Sequence, residues 1–144
     1  MSNLKTLSFQ GAVVALSLIA FTVSLFLPGV ISAEGVTKGY VLLLVGGLGI
    51  FQGIFCWLAN PLYVVTLLCL QNKNNAGAFL SSVTALLLAL LALHYEGSYV
   101  SYFDSTGPFG TLGTGFYVWV GAIAILLVVS LVNVWTSKNI SEVS

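Results

Sequence analysis

The chain has 144 residues, 58% of them hydrophobic and 6% charged, with no net charge and a mean hydropathy of +1.06. Too little polar surface remains to cover a water-soluble domain, so the composition selects the bilayer as solvent. Four lysines, no arginine and a pI near 6.5 exclude the basic face that nucleic-acid binding requires.

After a short polar start carrying Lys5, residues 9–27 contain no charge. As a helix they rise about 28 Å and match a hydrocarbon core of about 30 Å. The rival reading is a secretory signal peptide, with Lys5 as its basic region and Ile31-Ser-Ala33 as its cleavage site. The length of the apolar stretch and the further membrane segments argue against it. Pro28-Gly29 ends this first span, since proline removes a donor and glycine permits a turn. The loop that follows carries Glu34 and Lys38.

The next apolar run, Val41 to Leu70, would be about 45 Å long as one straight helix, half as long again as the hydrocarbon core. Two spans would need about 40 residues. The economical expectation is therefore a kinked or extended second helix that spans residues 41–60 and continues, tilted or interfacial, to residue 70. Asn60-Pro61 is the expected point of change, because proline disfavours the α conformation before it and leaves a carbonyl one turn back without its donor.

Residues 71–77, rich in Asn and carrying Lys73, read as a loop. The third span covers residues 78–95, with small residues Ser81, Ala85 and Ala89 recurring at four-residue steps so that another backbone can approach. Residues 94–115 form the longest loop, rich in Gly and aromatics. Its Gly107-to-Gly115 stretch lacks the Gly-Lys-Ser/Thr of a phosphate cradle and reads as a surface-hugging connector. The fourth span covers residues 116–135, bounded by Trp119 and Trp135 as aromatic belts.

These four spans define one membrane domain over residues 1–144: an all-α, four-transmembrane-helix bundle. An even number of spans puts both termini on one side. Lys5, Lys73 and Lys138 share that side against Lys38 on the other, so the positive-inside rule makes the termini cytoplasmic.

No ionisable side chain lies well inside a span, which counts against proton relays, coupled transport and voltage sensing. Paired histidines for haem and Cys-x-x-Cys pairs are likewise missing. Neither a catalytic group, a metal site nor a cofactor is expected. Cys56 and Cys69 lie about 20 Å apart along a helix, too far to bridge.

Gln52 stands beside the Gly49-x-x-x-Gly53 pair, and its amide needs a partner in hydrocarbon. This suggests a helix-packing face. Alternatively Gln52 and Asn60, about 80° apart on one helix, flank a polar cavity above Pro61. In the outer loop His94, Glu96 and Asp104 are the candidates, with an interfacial imidazole as the plain reading and lipid chemistry as a remote one. Asn133, Ser17, Ser24 and Thr84 complete the polar inventory as packing groups.

The combination Leu27-Pro-Gly29, Gly39-Tyr40 leading into Gly46-Gly-Leu-Gly49, Trp57-Leu-Ala-Asn-Pro-Leu62 and Gly113-Thr-Gly-Phe-Tyr-Val-Trp119 resembles a group of small, uncharacterised four-span bacterial inner-membrane proteins. Trp57-Leu-Ala-Asn-Pro-Leu62 is the most specific piece. The resemblance implies a multi-pass bacterial inner-membrane protein and carries no activity with it. The Gly-Leu-Trp signature of claudin-type four-span proteins is absent from the first loop.

The functional expectation is a non-enzymatic membrane protein that contacts lipid and another membrane protein or itself, as an accessory subunit of a complex or as an immunity-type protein against a membrane toxin. The alternative is a small oligomeric pore or carrier for a neutral solute, lined by the second span.

Overall fold

A computed structural model describes residues 2–32, 35–95, 99–102, 105–108 and 110–141. The chain is mostly helical. Helix α1 (Ser2–Phe26) leads to strands β1 (Pro28–Ser32) and β2 (Gly35–Lys38), then to helix α2 (Gly39–Val45) and a 3₁₀ turn over Gly46–Gln52. A second 3₁₀ turn (Cys56–Leu58) precedes helix α3 (Ala59–Gln71), followed by α4 (Asn75–Leu90) and the short α5 (Ala92–Tyr95). Strands β3 (Tyr99–Tyr102), β4 (Ser105–Pro108) and β5 (Thr111–Leu112) come before the last helix, α6 (Thr114–Ser141).

Among the described residues, two helical stretches are long and apolar enough to cross a membrane: Asn75–Tyr95, with 21 residues, and Thr114–Lys138, with 25. Gln10–Phe26, Gly39–Phe51 and Cys56–Gln71 are shorter apolar helices. Helix α1 packs along α6, α6 along α4, and α4 along α3. Side-chain contacts give the direction of the first pair. Gln10 bonds Asn133 near one end, Ser17 bonds Ala122 midway, and Gly115 lies beside Ser24 at the other end. The two helices are therefore antiparallel, and the first and last described residues sit at the end opposite the strands.

The strands were not expected in a wholly helical chain. Loop one folds as an antiparallel hairpin, with Ile31 opposite Val36 and Ser32 opposite Gly35. Strand β5, from the glycine-rich part of loop three, joins the free side of β1 with Val30 opposite Leu112. That stretch is thus a strand in a three-stranded sheet of order β2-β1-β5 and not a mere connector. Strands β3 and β4 make a separate hairpin. Backbone groups need hydrogen-bond partners, and pairing the two loops supplies them. The approach is close: a methyl group on Gly39 would collide with the Ser24 carbonyl, and one on Gly113 with that of Pro28. Side chains weld the sheet to the bundle as well, because Leu112 is buried with Ala92 and Phe116, and Val30 packs against them.

The main core consists of Ala59, Tyr63, Ala85, Ala89, Ala122, Ile123 and Leu126. The small-residue stripe read from the sequence is fully used: Ser81, Ala85 and Ala89 are all buried. Small hydroxyl side chains share the interior with this apolar core, and many large apolar side chains face outward. Ser17, Ser24, Thr66, Ser82 and Ser130 are buried, while Phe26, Leu44, Phe51, Leu80, Leu87 and Trp135 face outward.

Candidate functional site

The long apolar run breaks where Gly53 stands, not at Asn60-Pro61. Two local causes act together. Trp57 Nε1 donates to the Leu43 carbonyl at 2.8 Å, taking an acceptor that an α-helix would offer to its own fourth residue on. Its indole lies on Gly46 and Gly47, where a methyl on Gly46 would meet the ring at 2.8 Å. The helix tightens to 3₁₀ over this stretch and ends at Gly53, whose φ of 80° is left-handed.

The hydrogen bonds at this end are those of a Schellman cap. Ile54 N–H reaches the Gly49 carbonyl at 2.9 Å, and Gly53 N–H reaches that of Ile50 at 3.1 Å. A Cβ on Gly53 would meet nothing within 4 Å, so the position needs glycine for its dihedral and not for space. Gly49 and Gly53 therefore close a turn. Ile54 follows as the residue that packs over Gly49.

Pro61 sits in the first turn of α3, where an absent N–H costs little. The carbonyl it would have served belongs to Trp57, and Asn60 supplies the donor, its Nδ2 lying 3.1 Å from that oxygen. The same amide accepts from Trp119 Nε1 at 3.0 Å. Asn60 thus uses both ends of its side chain, one to replace the missing donor and one to tie the start of α3 to α6. Gln52 and Asn60 belong to different helices, so the shared groove expected from one continuous helix is not formed. The side chain of Gln52 lies outside the described residues.

A buried polar contact that the sequence did not reveal crosses the bundle between α1, α3 and α6. Ser17 Oγ lies 2.8 Å from the Ala122 carbonyl and 2.9 Å from Tyr63 Oη. The carbonyl can accept and cannot donate, so Ser17 gives its proton there and Tyr63 donates to Ser17. The Tyr63 ring stacks on Phe21, with centroids 4.6 Å apart. A second link joins Thr66 and Ser81 hydroxyls at 2.8 Å, between α3 and α4. The available signal was indirect: a Tyr, a Trp or a Ser inside an apolar span must find a partner, but its identity depends on which helices meet.

His94 lies in α5 and meets Tyr95 edge-on, with ring centroids 5.7 Å apart. Glu96 and Asp104, its proposed companions, lie outside the described residues, as does Glu34. Cys56 and Cys69 are free thiols. Among the described residues no three His, Cys, Asp or Glu side chains gather in a way that could hold a metal ion, and no buried side-chain polar atom lacks a hydrogen-bond partner. Among the described residues, the Ser17–Tyr63 and Thr66–Ser81 contacts join helices, while Ser24, Ser82 and Ser130 bond carbonyls of their own helix. Comparison with protein-family models, with curated proteins and with solved structures finds no match to this chain.

Proposed function

We propose that the chain is a four-span protein of the bacterial inner membrane, with both termini cytoplasmic, that acts without catalysis by binding another membrane protein or a second copy of itself. The many large apolar side chains that face outward support the membrane setting, as do the buried hydroxyls that bond one another across helices. The observation that carries the contact role is the sheet built jointly from loops one and three. It turns two connectors into one preformed platform with an open strand edge at β2. An accessory subunit of a membrane complex and an immunity-type protein against a membrane toxin both fit such a platform. The environment of Asn60 weighs against a solute path, since both ends of that amide are engaged in packing.

A photo-crosslinking residue in place of Val36, which is exposed on β2, tests the platform. The expected result is a discrete adduct with a protein that also co-purifies with the tagged chain in mild detergent. A monomer that carries lipid and forms no adduct overturns the contact role. Loss of the chain then separates the two forms: sensitivity to a co-encoded pore-forming toxin supports immunity, and collapse of a complex supports an accessory subunit.

A further inference from the structure

The segment from Gly39 to Gly53 is fastened at both ends to the same end of the bundle. The Gly39 N–H donates to the Leu27 carbonyl at 3.1 Å, and the Gly53 carbonyl accepts from the Tyr95 hydroxyl at 2.7 Å. Leu27 closes α1 and Tyr95 closes α5, both next to the strands. A stretch that leaves from and returns to one end has not crossed the membrane.

The outward side chains of this segment are apolar and recur at helical spacing. Tyr40, Leu44, Leu48 and Phe51 are all exposed, in steps of four, four and three, with Leu44 at 79% and Phe51 at 89%. Its other side consists of Gly46 and Gly47 against the Trp57 ring. No charged residue occurs between Lys38 and Lys73. The stripe also continues the outward apolar surface of α1 at Val23 and Phe26, beside whose last turn Gly39 packs.

We infer that Gly39–Gly53 lies in the plane of the membrane, with Leu44, Leu48 and Phe51 immersed among the acyl chains of the leaflet nearest the strands. Interfacial helices ordinarily combine an apolar face with a charged one. Here the second face is packed on the protein, so no charged face is needed. Acyl chains fit Leu44, Leu48 and Phe51 because these side chains are wholly apolar and carry on from the outward apolar residues of α1. The element would anchor one end of the bundle at a set depth and hold the sheet at the membrane surface. It rests on the membrane reading above.

Spin labels attached at Leu44→Cys and Phe51→Cys, with Cys56 and Cys69 replaced by alanine, test this in liposomes. Leu87→Cys, on the outward face of the long α4–α5 stretch, serves as the control. Relaxation by oxygen and by a water-soluble nickel chelate gives the depth of each label. The expected result is oxygen-dominated relaxation at both test positions, at depths agreeing within about one helical turn, ~5 Å. A depth difference of about 10 Å or more, as a crossing helix would give over seven residues, overturns the in-plane placement. Nickel-dominated relaxation at both overturns the lipid contact, and protection from both reagents assigns the stripe to a protein or a second copy. If the Leu87 label is itself nickel-accessible, the membrane reading fails first.

Discussion

The turns at Gly53 and Lys73 are built from the same hydrogen bonds and differ in their residues and surroundings. At Gly53 the closing bonds run from Ile54 to Gly49 and from Gly53 to Ile50; at Lys73 they run from Asn74 to Cys69 and from Lys73 to Leu70. Both central residues are left-handed, with φ of 80° and 56°. The first uses glycine inside an apolar run, and the second uses lysine inside a polar loop. Backbone geometry ends a helix in the same way in either setting. What differs is how it is held: Trp57 and Tyr95 brace the apolar turn, whereas Asn74 caps the helix that follows the polar one.

This contrast can be broken from the side of the apolar turn. Trp57→Ala removes the ring on Gly46–Gly47 and the donor to Leu43. It is expected to cost about 3 kcal/mol, the low end for a Trp truncation because the ring is half-buried. Unfolding in mixed detergent followed by circular dichroism reads this directly. Gly53→Val keeps the brace but forces a β-branched residue into the left-handed region, at about 2 kcal/mol in the same assay. No loss of stability on that substitution would mean that the run is not capped at Gly53.

The polar turn sharpens the comparison with the opposite sign. Lys73→Gly relieves the strained dihedral and is expected to stabilise by about 1 kcal/mol, while Asn74→Ala removes the acceptor for the Gly77 N–H and costs about 1 kcal/mol. The smallest effect belongs to Tyr95→Phe, which loses one hydrogen bond to the Gly53 carbonyl, worth about 0.6 kcal/mol. Faster hydrogen exchange at the Ile54 amide, with the midpoint of global unfolding nearly unchanged, is the signature to look for.

Much of the helical layout was legible. The stop at Pro28-Gly29, the polar turn near Lys73 and the small stripe Ser81–Ala85–Ala89 rest on local rules, and each has its expected place. The error at Pro61 came from a rule applied at the wrong distance. Proline breaks a helix interior, but two residues after a helix begins it is harmless, and Asn60 replaces its donor. The four-residue spacing of Gly49 and Gly53 suits helix packing by local rules, and the left-handed φ of Gly53 is decided by the turn it closes. Of the candidate side chains, Asn60 bonds the Trp57 carbonyl and the Trp119 indole. The polar link between Ser17 and Tyr63 had no local signal, because its partners lie 46 residues apart.

By itself the sequence determined the long apolar helices of the second half and the small residues that let them meet, since hydropathy, length and side-chain volume are properties of a segment. Tertiary structure decided that loops one and three share a sheet, that Trp57 bends the apolar run back on itself, and that Ser17, Tyr63 and the Ala122 carbonyl come together. Each of these depends on hydrogen-bond partners drawn from distant parts of the chain, and a backbone or hydroxyl group short of water takes whichever partner the packing of the helices brings within reach.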